Sequence, residues 1–197
     1  TNPSSGKMGV ALASNALARG AEVTLVYGPG TAKPPREARV IHVKSTEEML
    51  EAVKHELGST RHDAAILSAA AADYGPIDRR MEKTPSGRDA WVIELKPLPK
   101  VVENVKKVDP DVFLVGFKAE YGVSEEELVN RAYDRMIGAE MDLIVANDVS
   151  KEGVGFGADE NEVYIVDPEK HVEHLKASKY EIAARILNRV REKTGAG

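Results

Sequence analysis

Apolar, strand-like runs alternate along this chain with amphipathic, capped stretches, and that alternation restricts it to a layered α/β fold. The runs are "EVTLVYG", "RVIHV" (Arg39 to Val43), "DAAILSAA" (Asp63 to Ala70), "DVFLVGFKAE" and "MDLIVANDV". Between them, Met8, Ala11, Leu12 and Leu17 recur at helical spacing, as do Met49, Val53 and Leu57. Ser45 with Glu48 and Ser124 with Glu127 read as capping boxes. "PKVVENVKKV" reads as a short helix and "SKYEIAARILNRVREK" as a final capped one. Gly20 suits the left-handed position that closes the first helix.

Strands separated by helices pair in parallel. Two segments are expected as antiparallel additions: "DAWVIELKP", in which Trp91, Ile93 and Leu95 alternate, and a terminal hairpin of "NEVYIVD" and "HVEHLKA". The expected architecture is a Rossmann-like, mostly parallel sheet flanked by helices, in one domain over residues 1–197. A long mobile loop is expected at about residues 74–88, where Pro, Gly and basic residues replace the periodic pattern. One unit is out of order. In a nucleotide-binding α/β unit the glycine loop follows a strand, whereas here "TNPSSGKMG" comes first. The expectation is that a first strand lies before Thr1 and that the domain is clipped from a longer chain.

Composition narrows the function classes. The chain has no cysteine, which removes a disulfide framework, a thiolate metal site and a cysteine nucleophile, and fits an intracellular protein. A net charge of −5, spread along the chain, argues against a general nucleic-acid binder. No apolar run approaches the roughly 20 residues of a membrane span. The five histidines show no HExxH spacing, and although His171 and His174 share a polar stretch, no protein metal site is expected.

In such a sheet, ligands bind beyond the carboxyl ends of the strands. The unusual residues fall at those ends: Asn2 to Gly9, then Ala72-Asp73-Tyr74, Phe117 to Glu120, and Asn147-Asp148. Ser4 and Ser5 offer hydroxyls, Gly6 lets backbone N–H groups approach a ligand, and the helix behind them favours an anion. An ordinary helix cap explains the same loop taken alone. Asp73 suits a ribose hydroxyl, a base or a metal ion, or a turn cap. Lys83 suits phosphates or plain solvent. Phe117 suits a base or the core, and Asn147-Asp148 suit a ligand or a turn.

In order, "NPSSGKMG", "AAAADY", the Lys83 loop, "VGFKAE" and "DLIVANDVS" resemble phosphopantothenoylcysteine synthetase of coenzyme A biosynthesis. The resemblance covers nearly the whole chain. It implies joining of 4′-phosphopantothenate to L-cysteine through an acyl-nucleotidyl intermediate, with CTP or ATP as co-substrate and Mg²⁺ accompanying it. It implies that Lys83 stabilises charge on the α-phosphate and that Asn2 holds the acyl intermediate. Ser4, Ser5, Gly6 and Gly9 fall on the family's glycine-serine loop. Leu67, Ser68, Ala69, Asp73, Leu114, Val115, Gly116 and Phe117 would line the nucleotide site, with Arg135 at one of two positions that often carry lysine and Ala139 at the other. Asn147 and Asp148 are candidates for substrate. The resemblance also implies a homodimer, a cytoplasmic location and fusion to a flavin-dependent decarboxylase. The rival readings are an NAD(P)-dependent oxidoreductase, which lacks its GxGxxG and Tyr-x-x-x-Lys here, and a non-enzymatic nucleotide-binding module.

Overall fold

The computed structural model describes residues 4–78, 82, 86, 90–151 and 158–195. The elements in chain order are α1 (Lys7–Ala18), β1 (Thr24–Tyr27), β2 (Arg39–His42), α2 (Thr46–Ser59), β3 (Ala64–Leu67), β4 (Tyr74–Pro76) and β5 (Leu95–Pro97). There follow α3 (Val102–Val108), β6 (Phe113–Glu120), α4 (Glu125–Gly138), β7 (Leu143–Asp148), β8 (Glu160–Val166), β9 (Val172–Ser178) and α5 (Lys179–Thr194). The main sheet has the order β3-β6-β7-β8-β9. Its β3, β6 and β7 are parallel, while β8 and β9 are antiparallel additions, as expected of the terminal hairpin. A second parallel pair, β1 with β2, and an antiparallel pair, β4 with β5, form separate ladders.

Strand alternation sorts the apolar residues onto two faces. Leu114, Ile144, Ala146, Tyr164 and Val166 pack with Val105, Leu128, Ala132 and Met136 beneath α3 and α4. The intervening Val115, Leu143, Val145, Val163 and Ile165 pack with Leu12, Ile182, Ala183 and Ile186 beneath α1 and α5. Both faces are covered, which is why these strands read as continuous apolar runs. The caps form as the sequence indicates. Ser45 accepts the Glu48 N–H at 3.1 Å and Ser124 accepts the Glu127 N–H at 3.2 Å. Ser178 and Glu181 make a reciprocal capping box at the start of α5.

Two expectations change. The "DAWVIELKP" segment is a strand over Leu95–Pro97 alone, and Trp91, Val92, Ile93 and Leu95 are all exposed. Their alternation has no core behind it to bury one face. The expected loop at 74–88 begins instead as strand β4, paired with β5 through Gly75 and Lys96. Most of residues 79–89 lies outside the described residues.

Candidate functional site

The helix α1 opens on Gly6 in a left-handed conformation (φ 78°), with no side-chain cap. The strand end that follows it in sequence holds this turn. The Ser5 carbonyl accepts the N–H groups of Thr31 and Ala32 at 3.0 and 2.9 Å. The Tyr27 hydroxyl, at the end of β1, donates to the Ala32 carbonyl at 2.6 Å and covers Gly6. Burial pushes that phenol's pKa up. On the other flank, a β-carbon added at Gly9 would stand 3.3 Å from Ser68 Oγ, just past β3. The glycine-serine loop is therefore wedged between the carboxyl ends of β1 and β3. The start of α1, with its positive dipole end, sits at that edge. Ser5 Oγ already accepts the Lys7 N–H at 3.3 Å. The sequence reading missed Tyr27. Its signal was an aromatic residue ending a strand directly before Gly28-Pro29-Gly30.

Past β3, the Asp73 carboxylate is ion-paired with Lys100, and the Asp73 carbonyl accepts the Leu98 N–H at 2.8 Å. Both side chains of the pair are partly open to solvent. Leu67 is half-buried at the end of β3. Leu114 and Val115 are fully buried, one in each core, so their side chains pack the sheet and do not line a ligand site. Gly116 and Phe117 lie nearer the carboxyl end, with Phe117 half-buried on the α1 side. Arg135 sits in the last turn of α4 and pairs with Glu103 of α3 at 2.9 Å. Glu103 follows by three residues Lys100, the partner of Asp73.

At the end of β7, Asp148 accepts the Gly122 and Ser150 N–H groups at 3.0 and 2.9 Å. The N–H of Ser150, then that of Gly122, hold its carboxyl below the usual range. Both bonds go to Oδ1, so Asp148 closes a turn with one of its two carboxylate oxygens. Asn147 is different: it is 8% exposed, and its carboxamide makes no hydrogen bond with any described residue. Nearby, Lys7 pairs with Asp159 at 2.7 Å. The buried Lys179 donates through its ammonium to the Ala158 carbonyl, and burial, with Lys7 adding to it, lowers its pKa. Asn2 and Lys83 lie outside the described residues.

His171 and His174 do not share a site. His174 stacks on Tyr164 with ring centroids 4.5 Å apart and meets Glu162 at 3.0 Å. His171 joins Asp167 and Glu169 in the β8–β9 turn, where Asp167 is already held by Arg189 at 2.8 Å.

Fold and site together define a Rossmann-like α/β domain whose glycine-opened helix and polar residues gather at the carboxyl edge of the sheet. The chain belongs to the DNA/pantothenate metabolism flavoprotein C-terminal domain family, whose model matches residues 1–194. It is 42% identical over 190 residues to the coenzyme A biosynthesis bifunctional protein CoaBC of Thermococcus kodakarensis, covering 96% of this chain and 46% of that protein. The chain thus spans about half the length of the curated relatives it matches. The crystal structure of the DNA/pantothenate metabolism flavoprotein from Streptococcus pneumoniae superposes with a TM-score of 0.84 at 25% identity, covering 98% of this chain and 90% of that one. The C-terminal domain of a CoaBC protein superposes with a TM-score of 0.78 at 30% identity, covering 98% and 84%.

Proposed function

We propose that this chain joins 4′-phosphopantothenate to L-cysteine in a nucleotide-dependent ligation. The observation that carries the proposal is the clamped loop. Tyr27 and Ser68 hold Gly6 and Gly9 so that the start of α1 sits beside the ends of β1 and β3, where a helix N-terminus favours phosphate. Membership of the family and identity to a CoaBC protein support the choice of substrates.

In this reading a substrate carboxylate oxygen attacks the α-phosphorus of CTP or ATP, and pyrophosphate leaves. The cysteine amine then attacks the acyl carbon, the acyl C–O bond breaks, and the nucleoside monophosphate leaves as the amide forms. The chain's part is positioning and electrostatic stabilisation. Ser4, Ser5, Gly6 and Gly9 receive phosphates. Asp73, with Lys100 beside it, together with Leu67, Ser68, Ala69, Gly116 and Phe117, borders the nucleoside. Asn147 meets the substrate. Lys83 and Asn2 keep the roles that the resemblance implies for them. Mg²⁺ fits as an ion carried by the triphosphate oxygens, which it would neutralise. Among the described residues no group of three or more metal-ligating side chains gathers at this edge.

The reading includes a homodimer, because the β4–β5 arm exposes Tyr74, Ile77, Trp91, Val92, Ile93 and Leu95 together. It also includes a cytoplasmic location and fusion to a flavin-dependent decarboxylase. Among the described residues no helix is long and apolar enough to cross a membrane. The test mixes the protein with phosphopantothenate, Mg²⁺ and CTP or ATP, with and without cysteine. Pyrophosphate and an acyl-nucleotide are expected without cysteine, and the amide with it. No pyrophosphate with either nucleotide overturns the proposal.

A further inference from the structure

The parallel strands fall into two ladders. β1 pairs with β2, and β3 begins the main sheet, but among the described residues no ladder joins β1 to β3. Both strands end at the start of α1, where Tyr27 lies against Gly6 and Ser68 against Gly9. The same two helices flank them. Met8 and Ala11 of α1 share one core with Ala64 and Ile66 of β3. Val53 and Leu57 of α2 share the other with Ala65 and Leu67, and α2 also lies against β1. At the start of α2, the Thr46 hydroxyl donates to the Ala72 carbonyl beyond β3 at 3.4 Å.

Hydrogen-bond alternation shows which backbone groups line the interval between them. The Val23 and Tyr27 carbonyls accept the N–H groups of Arg39 and Val43, each at 3.0 Å. β1 therefore spends its odd-numbered residues on β2 and turns the N–H and C=O of Thr24 and Val26 to its other edge. The Asp63 carbonyl accepts the Phe113 N–H at 3.1 Å. β3 likewise spends its odd-numbered residues on β6 and turns those of Ala64 and Ile66 toward β1. None of these groups has a partner among the described residues. Parallel strands between two helical layers normally close their ladders, since an unmatched backbone group under cover is costly. Burial reports the same opening. β7 is buried along its whole length, whereas every residue of β3, and Thr24, Leu25 and Val26 of β1, is only half-buried.

We infer that the interval between β1 and β3 is the docking site of one extended, apolar segment from the part of the protein that precedes Thr1, hydrogen-bonded in parallel to both edges. With it, the strand order becomes β2-β1-segment-β3-β6-β7, the 3-2-1-4-5-6 order of dinucleotide-binding sheets. Segment, α1 and β1 then form one βαβ unit of adjacent parallel strands. The segment leaves the interval at the edge where α1 begins, so the chain passes from one to the other without crossing the sheet. Its side chains alternate between the α1 and α2 faces, and both are apolar, which calls for hydrophobic residues at successive positions. The matched family is a C-terminal domain and the chain covers 46% of its Thermococcus relative, which puts the remainder of such a protein ahead of this region. The inference goes beyond the proposed ligation and does not depend on it.

The test compares residue-resolved amide hydrogen exchange in residues 1–197 and in the same protein extended through its natural preceding residues. The N–H groups of Thr24, Val26, Ala64 and Ile66 are expected to exchange at least about tenfold more slowly in the longer protein. The rates are read relative to those of Leu25 and Leu67, which pair with β2 and β6 in both proteins. Cross-strand nuclear Overhauser contacts are expected from one segment ahead of Thr1 to both Val26 and Ile66. Equal relative exchange in the two proteins overturns the inference, as do Overhauser contacts directly between β1 and β3. A natural sequence with no apolar, strand-length run ahead of Thr1 overturns it as well. Slow exchange of the four N–H groups in residues 1–197 that disappears on dilution overturns it in favour of a second copy of the chain. Should residues 1–197 not fold alone, the longer protein decides through the Overhauser contacts.

Discussion

The Tyr27 hydroxyl lies over Gly6 so closely that a β-carbon added at Gly6 would stand 2.6 Å from its oxygen. One aromatic side chain thereby fixes both the left-handed turn and the start of α1.

Gly6→Ala meets two penalties, the positive φ and the collision with the Tyr27 ring. A loss of about 1–3 kcal/mol in urea unfolding is expected, with a raised nucleotide KM. Tyr27→Phe removes the 2.6 Å bond to the Ala32 carbonyl and is expected to cost about 1 kcal/mol. It relieves no clash, so its effect on KM measures how far the loop depends on the clamp. An unchanged KM in both variants would separate the loop from nucleotide binding.

The Asp73–Lys100 pair is open to solvent, with the two side chains 62% and 44% exposed. Its contribution to folding is expected to be small, within about 1 kcal/mol. Asp73→Asn and Lys100→Ala should therefore unfold at nearly the wild-type urea midpoint. Asp73→Asn should raise the nucleotide KM while leaving the KM of cysteine in place. An equal rise for all substrates would remove Asp73 from the nucleoside's border.

The exposed arm gives a prediction about assembly. Val92 is 83% exposed and Trp91 and Ile93 are more than half exposed. Trp91→Glu combined with Ile93→Glu is expected to convert a dimer to a monomer in sedimentation velocity, with a melting temperature close to wild type. A wild-type monomer at micromolar concentration with full activity would remove the dimer from the reading.

A pH dependence follows from Asp167, which is 3% exposed. Burial works to raise its pKa, but the His171 N–H at 2.8 Å, the His171 ring and Arg189 outweigh that and hold it below the usual range. A carboxyl depressed in the folded state stabilises above its unfolded pKa of about 3.9 and loses that contribution as pH falls through the folded value. The difference in urea midpoint between wild type and Asp167→Asn is expected to be full at pH 7 and to shrink below about pH 4. A difference that stays constant on acidification would contradict the assignment.

Much of the fold was legible because its signals are local. The apolar runs that became β6 and β7 are covered on both sides, so neither needs a partner to be recognised. Ser45, Ser124 and Ser178 cap the helices that their spacing announces. Leu114 and Val115 were harder to place, because a strand's sequence does not say how far along it the core ends. The arm misled because the alternation of Trp91, Ile93 and Leu95 implies a buried face that nothing covers.

By itself the sequence determined the α/β class, the helix caps, the antiparallel hairpin and the gathering of polar residues after strand ends. Each depends on neighbours within a few positions. The tertiary structure alone decided that Tyr27 clamps Gly6, that Asp73 meets Lys100, and that Asp148 joins Gly122 in closing a turn. Those relationships join residues 21 to 27 positions apart in sequence only after the sheet has set its strand order and register, since period-two alternation fixes which face a residue takes but not which strand stands beside it.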